Sequence, residues 1–419
     1  MLERGENVDL VYLDFSKAFD KCDVNILIHK AKALGITGKV GRWINSFLTN
    51  RKQNVVVNGT KSRGSNVVSG VPQGTVLGPL LFLIYIADIG ENIKGKLQVY
   101  VDDTKLKKPI NDESDIESLQ EDLEQLYSWA QENNMEFNGT KFQLLRFGNN
   151  DDLKHDTIYF TDKMSNVIEE FETVKDLGVT MNNKATFTEH LDKAVKKARQ
   201  KMGWVLRTFK SRQKWFMRHM FKSLVIPHLD YCSQLWMPVN GAGVHTLEKV
   251  QLDFFKKIPA LQGMTYWEAL EDMNMLSIQR RFERYRIVYI WKILEDFAPN
   301  CGIAKIEDSE ETRLGRRLKV PVLKGCAKSN KLKEQAFQIN GAKLFNCLPQ
   351  AIRNQSRKSK KQNTLSTGPE DFKTKLDILL SSVPDQPRID CLSPGVETNS
   401  LLHQTKRGQG GGLVPISGA

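Results

Sequence analysis

Three aspartates stand where carboxylates could hold metal ions. Asp14 directly follows the apolar run Leu10–Leu13, and Asp102 and Asp103 lie together between two short apolar stretches. An isolated aspartate, or an adjacent pair, most often caps a helix or faces solvent in a turn. Adjacent carboxylates repel one another, but a bound cation reverses that cost. Phosphoryl transfer by two metal ions about 4 Å apart needs several converging carboxylates, and these three could supply them.

A further segment, Ser69–Leu80, is punctuated by glycine and proline and runs into the apolar stretch Leu80–Ala87. Gly70 and Gly74 would allow the backbone to approach a ligand closely, because glycine has no side chain. Considered alone, the segment is equally consistent with an ordinary loop before a buried helix.

The elements that must position these residues are mixed in type. Residues 1–185 alternate short apolar runs with longer periodic segments, which is typical of an α+β fold. We predict strands over Val8–Phe15 and Leu97–Val101, with the aspartate pair at a hairpin tip. The dipeptide Asn58-Gly59 predicts another hairpin turn. Apolar residues spaced three and four apart predict a helix over Asp112–Asn133.

The rest of the chain is organised differently. Residues 186–300 have an almost wholly helical spacing of apolar side chains, and we interpret them as a second domain. Residues 301–419 are less periodic and form a C-terminal region that we expect to be partly disordered. Within it, Gln355–Gly368 predicts a solvated loop and Phe372–Leu380 a short helix. The glycine-rich last dozen residues should be disordered.

The first helices of the second domain are strongly basic. Between Lys193 and Lys222 there are eleven lysines or arginines and no acidic residue. Such a segment can neutralise phosphates, although a solvated cationic helix face would give the same alternation. We favour contact with nucleic acid because the segment lacks counter-charges. The predicted nucleic-acid-binding residues are Lys193, Lys196, Lys197, Arg199, Lys201, Arg207, Lys210 and Arg212. A second helical cluster, equally consistent with either role, contains Arg280, Arg281, Arg284 and Arg286.

Composition supports a polyanionic partner. The 419 residues include 61 lysines and arginines against 49 acidic residues, a net charge of +12. Six cysteines form no C-x-x-C pair, so neither a zinc knuckle nor a disulfide framework is indicated. The N-terminus lacks a signal peptide, and the longest apolar stretch, Val76–Ala87, falls well short of the roughly 20 residues of a membrane span. We therefore expect an intracellular protein with no membrane partner.

Along the chain, the Asp14 segment comes first, the Ser69–Leu80 segment second and the Asp102-Asp103 pair third. In this order and at these separations, the three segments resemble the motifs of reverse transcriptases. The palm of those enzymes contains an aspartate strand, a Pro-Gln-Gly loop followed by a helix, and an aspartate-pair hairpin. More specifically, the chain resembles the polymerases of LINE-type, non-LTR retrotransposons in the jockey-like group. The segments that carry this resemblance span nearly the whole chain: LDFSKAFD, SGVPQGTVLGPLLFLIYI, YVDDTK, DLGV, LVIPHLDYCSQLW and SIQRRFERYRIVYIWKIL.

The resemblance implies a right-hand polymerase: an α+β palm with an antiparallel sheet and packed helices in residues 1–185, its fingers largely missing, then a mostly α-helical, thumb-like domain. It implies an RNA-directed DNA polymerase that adds dNTPs to a DNA primer on an RNA template. The cofactor would be two Mg²⁺ ions, with Mn²⁺ as a possible substitute. The protein would be in the nucleus at the integration step. Two alternatives stay open: a truncated, catalytically silent remnant that only binds nucleic acid, and, less well supported, an intron-encoded maturase.

Position by position, the resemblance also implies roles for single residues. Asp14, Asp102 and Asp103 would bind the metals, assisted by the backbone carbonyl of Phe15. Phe19 would crowd the sugar 2′ position and so favour deoxynucleotides.

The remaining implied roles lie in three later segments. Gln73 and Gly74 would line the nucleotide and template pocket. Lys141 would donate a proton to the leaving pyrophosphate, a role that suits a lysine, although an ordinary surface lysine is the alternative. The turn that grips the primer end would consist of Leu177, Gly178 and Val179.

Overall fold

The structure is a computed structural model that describes residues 7–148, 159, 167–238, 240–305, 316–321, 336–355, 369–387, 399–407 and 413–415. The chain divides into two compact units, Met1–Ala185 and Thr186–Ala419. The fold is a mixture of helices and small antiparallel sheets, as the sequence predicts. The second unit takes in both residues 186–300 and the C-terminal region. The assignment of functions to these parts stays a prediction.

The first unit is built around a four-stranded antiparallel sheet whose strands lie in the order Lys96–Tyr100, Asp103–Ile110, Asn7–Asp14 and Gln143–Phe147. Its elements, in chain order, are β1 Asn7–Asp14, α1 Ala18–Lys21, α2 Val24–Ala33, α3 Gly38–Leu48, β2 Arg51–Gln53, β3 Val56–Val57, β4 Thr60–Lys61, β5 Ser65–Val67, α4 Leu77–Tyr85, β6 Lys96–Tyr100, β7 Asp103–Ile110, α5 Glu113–Glu132, β8 Gln143–Phe147, β9 Thr173–Asp176 and β10 Val179–Asn182. The predicted strands, the hairpin at Asn58-Gly59 and the predicted helix are confirmed.

Strand β1 is central because both of its faces are covered. Val11 and Leu13 belong to the main core beneath the helices, whereas Val8 and Leu10 pack in a smaller cluster on the other face. Alternate residues of a strand point to opposite faces, so this division follows from the period of two. A strand held on both sides is a rigid base for the aspartate at its end.

Helix α5 closes one face of the main core. The Asp112 side chain accepts a hydrogen bond from the Asp115 amide, which caps the helix start. Leu119, Leu123 and Leu126 recur at helical spacing and are fully buried. The spacing of these leucines is the feature from which the helix is predicted, which explains why its bounds agree with the sequence.

The second unit is mainly helical. Its elements are α6 Thr188–Thr208, α7 Lys214–Met220, a π-helical turn Phe221–Val225, α8 Ile226–Asp230, α9 Ser233–Trp236, α10 Gly241–Phe255, α11 Tyr266–Asp272, α12 Ile278–Leu294, β11 Ala304–Lys305, β12 Leu318–Lys319, α13 Phe337–Cys347, α14 Gln350–Arg353, α15 Pro369–Ser382, α16 Leu401–Gln404, β13 Thr405–Arg407 and β14 Leu413–Pro415. Trp291 of α12 and Phe372 of α15 stack face to face in its core, with ring centroids 4.9 Å apart.

The predictions for the C-terminal region have different outcomes. The predicted helix is confirmed within α15. The proposed solvated loop lies, beyond Gln355, outside the described residues, as does the glycine run of the last dozen residues. Within that dozen, however, β14 pairs with β13, so disorder was the wrong prediction for those three residues. Among the helices that the structure describes, none is both long and apolar enough to cross a membrane.

Candidate active site

The aspartate pair lies at the tip of the β6–β7 hairpin. Tyr100 and Asp103 are cross-strand partners, which leaves Val101 and Asp102 as a two-residue turn. Val101 has a φ of 58°, in the left-handed region that a β-branched residue rarely adopts. Backbone strain of this kind persists only where the surrounding structure holds the residue in place, and it is concentrated at functional sites. The predicted strand, turn and strand are confirmed.

Asp14 lies directly opposite Asp103 in the β1–β7 pairing. Carboxylates that face each other across a strand pair repel one another. Burial, followed by the charges of Asp102 and Asp14, raises the pKa of Asp103 above the usual range. The three predicted metal ligands therefore share one negatively charged region, although they are 89 residues apart in the chain.

Lys141 meets the same region from the other side of β1. It lies in a 3₁₀ turn, Gly139–Lys141, next to the point where the amide of Asn138 donates to the carbonyl of Asp14. The Lys141 ammonium donates to the Asp14 carboxylate. This hydrogen bond and the charge of Asp14 raise the pKa of Lys141. A positively charged side chain therefore lies next to the aspartates.

The chemistry of the donor set suits Mg²⁺, which prefers carboxylate oxygens. In the described ranges, no three or more His, Cys, Asp or Glu side chains form a preformed metal-binding group. The Lys141 ammonium instead supplies the positive charge at Asp14. The ring of Phe15 is buried and stacked on Phe137, with centroids 4.3 Å apart, which fixes the backbone after Asp14. Metal binding by Asp14, Asp102, Asp103 and the backbone carbonyl of Phe15 stays a prediction.

The glycine-rich loop lies against the segment that contains Phe19. The amide of Gly70 donates to the carbonyl of Cys22 at 2.7 Å, and the amide of Val71 donates to the carbonyl of Phe19 at 2.8 Å. The Phe19 ring stacks on Phe82 of α4, with centroids 4.9 Å apart. Phe19, the residue predicted to crowd the sugar 2′ position, is thus held by both the loop and the helix that follows the loop.

Gln73 and Gly74 lie farther along the same loop. The Gln73 amide donates to the carboxylate of Asp20 at 2.9 Å, so the loop also binds the residue next to Phe19. Gly74 has a φ of 75°, and no atom lies within 4 Å of the position that a Cβ would occupy. Open space at Gly74 is compatible with the predicted approach of a ligand.

Arg51 holds this loop and has no place among the sequence predictions. Its guanidinium donates to the carbonyl of Ser69 at 3.0 Å and also to that of Gly70, and its Nε donates to the carbonyl of Leu48 at 2.8 Å. Desolvation lowers the pKa of Arg51. An arginine that binds backbone carbonyls leaves no signal in the sequence, since carbonyls are present at every residue.

The predicted primer-grip residues form the tight turn between β9 and β10. Asp176 and Val179 are paired, and Leu177 and Gly178 both have a positive φ, as a two-residue hairpin turn requires. Asp176 forms an ion pair with Lys105 of β7, and its charge also contributes to the raised pKa of Asp103. The turn therefore lies beside the aspartate hairpin. Its contact with a primer stays a prediction.

The basic helices are α6 and α7. Their predicted binding residues are exposed or half-buried in the second unit. The segment itself contains no acidic residue, but other helices supply carboxylates to two of its cations. Arg199 lies 3.7 Å from Asp253, and Lys214 lies 2.8 Å from Asp272. Arg212 donates to the backbone carbonyls of residues near the end of α6. The exposed positions that remain for nucleic acid include Lys196, Lys197, Lys201, Arg207 and Lys210.

The second arginine cluster has a structural role. Arg281 forms a two-pronged ion pair with Asp230, and Arg284 forms one with Asp377. Arg280 is fully buried among backbone and side-chain oxygens of the C-terminal segment. These guanidinium groups are engaged inside the second unit, so this cluster is neither a solvated helix face nor a set of free cations for nucleic acid.

Comparisons with known proteins agree with the geometry. Residues 2–199 match the family model for reverse transcriptase (RNA-dependent DNA polymerase). The chain is 25% identical over 341 residues to the RNA-directed DNA polymerase from mobile element jockey of Drosophila melanogaster, covering 76% of this chain and 36% of that protein. It is 28% identical over 290 residues to the Drosophila funebris protein of the same name, and this match covers 65% of this chain and 30% of that protein.

A third relative and two solved structures are more distant. The probable RNA-directed DNA polymerase from transposon BS of Drosophila melanogaster is 25% identical over 303 residues, covering 68% of this chain and 32% of that protein. Telomerases from Candida albicans and Candida tropicalis, each in complex with a fragment of telomeric RNA, match with TM-scores of 0.36 and 0.34. The Candida albicans protein is 11% identical in sequence, and the match covers 91% of this chain and 52% of that protein. The Candida tropicalis protein is 10% identical, and the match covers 90% of this chain and 49% of that protein. Both similarities are too weak to define the fold.

The chain thus spans about a third of the length of the curated relatives that it matches. The matches to jockey and to transposon BS agree with the predicted branch of the family. With the aspartate strand, the loop and the aspartate hairpin all within the matched range, residues 2–199 are a reverse transcriptase domain of the kind encoded by non-LTR, LINE-type retrotransposons.

Proposed function

We propose that this chain is an RNA-directed DNA polymerase that joins dNTPs to the 3′-OH of a DNA primer while copying an RNA template. The observation that carries the proposal is the pairing of Asp14 with Asp103, which places two carboxylates opposite each other and Asp102 in the adjoining turn. Phosphoryl transfer needs such a concentration of negative charge at one point. The relatives named RNA-directed DNA polymerases support the same reaction.

The cofactor proposed for this site is a pair of Mg²⁺ ions, with Mn²⁺ as a substitute. When bound, the ions activate the primer hydroxyl and neutralise the charge of the triphosphate. Asp14, Asp102 and Asp103 would hold them, with the Phe15 carbonyl as a further ligand. Burial, followed by the charges of Asp102 and Asp14, raises the pKa of Asp103, and a divalent cation would relieve the part that comes from those charges.

Lys141 would donate its proton to the pyrophosphate oxygen that leaves. A lysine is protonated at neutral pH, and the hydrogen bond to Asp14, which raises the pKa of Lys141, holds that proton until negative charge develops on the leaving group. Phe19, held between the loop and α4, would exclude a ribose 2′-OH. Gln73 and Gly74 would border the incoming nucleotide.

The domain roles that we propose follow from these assignments. Residues 1–185 would act as a polymerase palm and 186–300 as a helical thumb that contacts template and primer. The turn formed by Leu177, Gly178 and Val179 would hold the primer end. In the cell, the polymerase would work in the nucleus at the step of integration.

A primer-extension assay tests the proposal. The full chain is incubated with Mg²⁺, dTTP and oligo(dT) annealed to poly(rA), and compared with the variants Asp102→Asn and Asp112→Asn. Asp112 is a matched control, since asparagine caps a helix as well as aspartate does. We expect extension by the native chain and by Asp112→Asn, and none by Asp102→Asn. Binding of the hybrid without extension by the native chain would instead identify a silent nucleic-acid-binding remnant.

A further inference from the structure

Four aromatic side chains form a continuous cluster at the junction of α6 and α7. The rings of Trp204 and Phe209 lie 5.9 Å apart, those of Phe209 and Phe216 5.3 Å, and those of Phe216 and Trp215 5.7 Å, each pair edge to face. We call these four residues the aromatic cluster. Trp215 is 70% exposed and Trp204 43% exposed. A tryptophan is seldom left in water to this extent, so the outer rings need an explanation.

Hydrogen bonds hold the bend between the two helices and orient the Trp215 ring. Arg212 donates to the carbonyl of Leu206 at 2.8 Å and to that of Phe209, so it ties the bend between the helices to the end of α6. Trp215 Nε1 donates to the Gln213 side chain at 2.8 Å, which fixes the indole orientation. A fixed ring presents its face to a ligand at little cost in conformational entropy.

Positive charge lies beside the exposed ring of Trp204 and along the stretch of chain that follows it. Lys201 places its ammonium 5.9 Å from the centroid of Trp204. Arg207 and Lys210, on the same stretch of chain, are exposed. Within the described residues none of these three cations has a carboxylate partner. Lys214 differs, because Asp272 neutralises it.

We propose that the aromatic cluster is a stacking platform for a single-stranded segment of nucleic acid, with Trp215 as the ring on which an unpaired base lies. Aromatic rings offered among phosphate-binding cations are the combination that binds single strands without regard to sequence. Bases inside a duplex are already stacked on each other and cannot lie on Trp215. The proposal deepens the function proposed above, since it assigns the unpaired part of the template or primer strand to this site.

The test measures binding of the full chain to fluorescein-labelled (rA)₂₀ and to a 20-base-pair duplex by fluorescence anisotropy. Stacking contributes about 1–3 kcal/mol per base, so Trp215→Ala should weaken single-strand binding about 5- to 150-fold. Trp215→Phe, which keeps a ring, should stay within about threefold of the native chain. Ile378→Ala is the matched control, since Ile378 is another exposed apolar side chain of this unit, 67% exposed, and it should change nothing.

Two results would overturn the proposal. One is single-strand affinity that Trp215→Ala leaves unchanged, and the other is an equal loss of affinity for single strand and duplex. Primer extension is read separately, so a chain that extends primers normally but binds RNA independently of Trp215 would refute this inference alone.

Discussion

Replacing Gly70 by alanine should loosen the loop that holds Phe19. Gly70 has a φ of 81°, and a Cβ there would lie 2.7 Å from the Phe19 carbonyl oxygen and 2.8 Å from the Cα of Asp20. The left-handed backbone costs an alanine about 1–2 kcal/mol. The clash is with backbone, which cannot rotate away, and adds about 1–3 kcal/mol. Gly70→Ala should therefore destabilise this contact by about 2–5 kcal/mol.

Gly74→Ala is the matched control. Its φ of 75° imposes similar backbone strain, but nothing lies within 4 Å of its added Cβ. The assay is native-state hydrogen exchange at the amides of Gly70 and Val71, which donate to backbone carbonyls of the Phe19 segment. Exchange in Gly70→Ala should accelerate about 30-fold or more, and far less in Gly74→Ala. Equal acceleration in the two variants would refute the reasoning, because backbone strain alone would then explain both.

Three further substitutions have expected outcomes that differ in kind. Asp103→Asn should abolish primer extension. It should also raise the free energy of unfolding by about 0.2–1 kcal/mol, and with it the thermal midpoint, since it removes the cross-strand repulsion with Asp14. A lowered midpoint would contradict this. Lys141→Gln should slow extension by about 10²–10⁴-fold and remove the alkaline limb of its pH profile, whereas a purely structural lysine would leave that profile unchanged. Burial raises the pKa of Glu248 to about 7, so ionisation of this group disfavours folding, and its destabilising effect is full above pH 7 and fades as pH falls toward 4.5. Glu248→Gln should flatten that dependence in urea unfolding, but lower stability by about 1–3 kcal/mol because its amide would face the Gln279 N–H; an unchanged pH dependence would exclude the assignment.

The elements around the aspartates are predictable because their signals are local. An apolar run before Asp14 and the period of α5 depend on neighbours in the chain, as does the turn at Asn58-Gly59. The convergence of Asp14 with Asp103 follows only from resemblance to a known family. No spacing in the sequence gives a strand register, and the ion pair between Asp14 and Lys141 joins residues 127 positions apart.

What could not be predicted depends on long-range partners. The absence of acids between Lys193 and Lys222 suggested an uncompensated surface, yet Asp253 and Asp272 arrive from later helices. Helical spacing places Arg280 on α12 but does not reveal that the side chain is buried. Counting charges within a segment therefore overstates the free positive charge of a helical domain.

The proposed chemistry requires Asp14, Asp102 and Asp103 to act together on divalent cations. Mn²⁺ titration of the full chain, followed by electron paramagnetic resonance, tests this directly. The native chain and Asp112→Asn should bind Mn²⁺ alike, while Asp14→Asn and Asp103→Asn should each weaken binding by about tenfold or more. If both variants bind Mn²⁺ as the native chain does, the three carboxylates do not share a metal site and the proposed chemistry is contradicted.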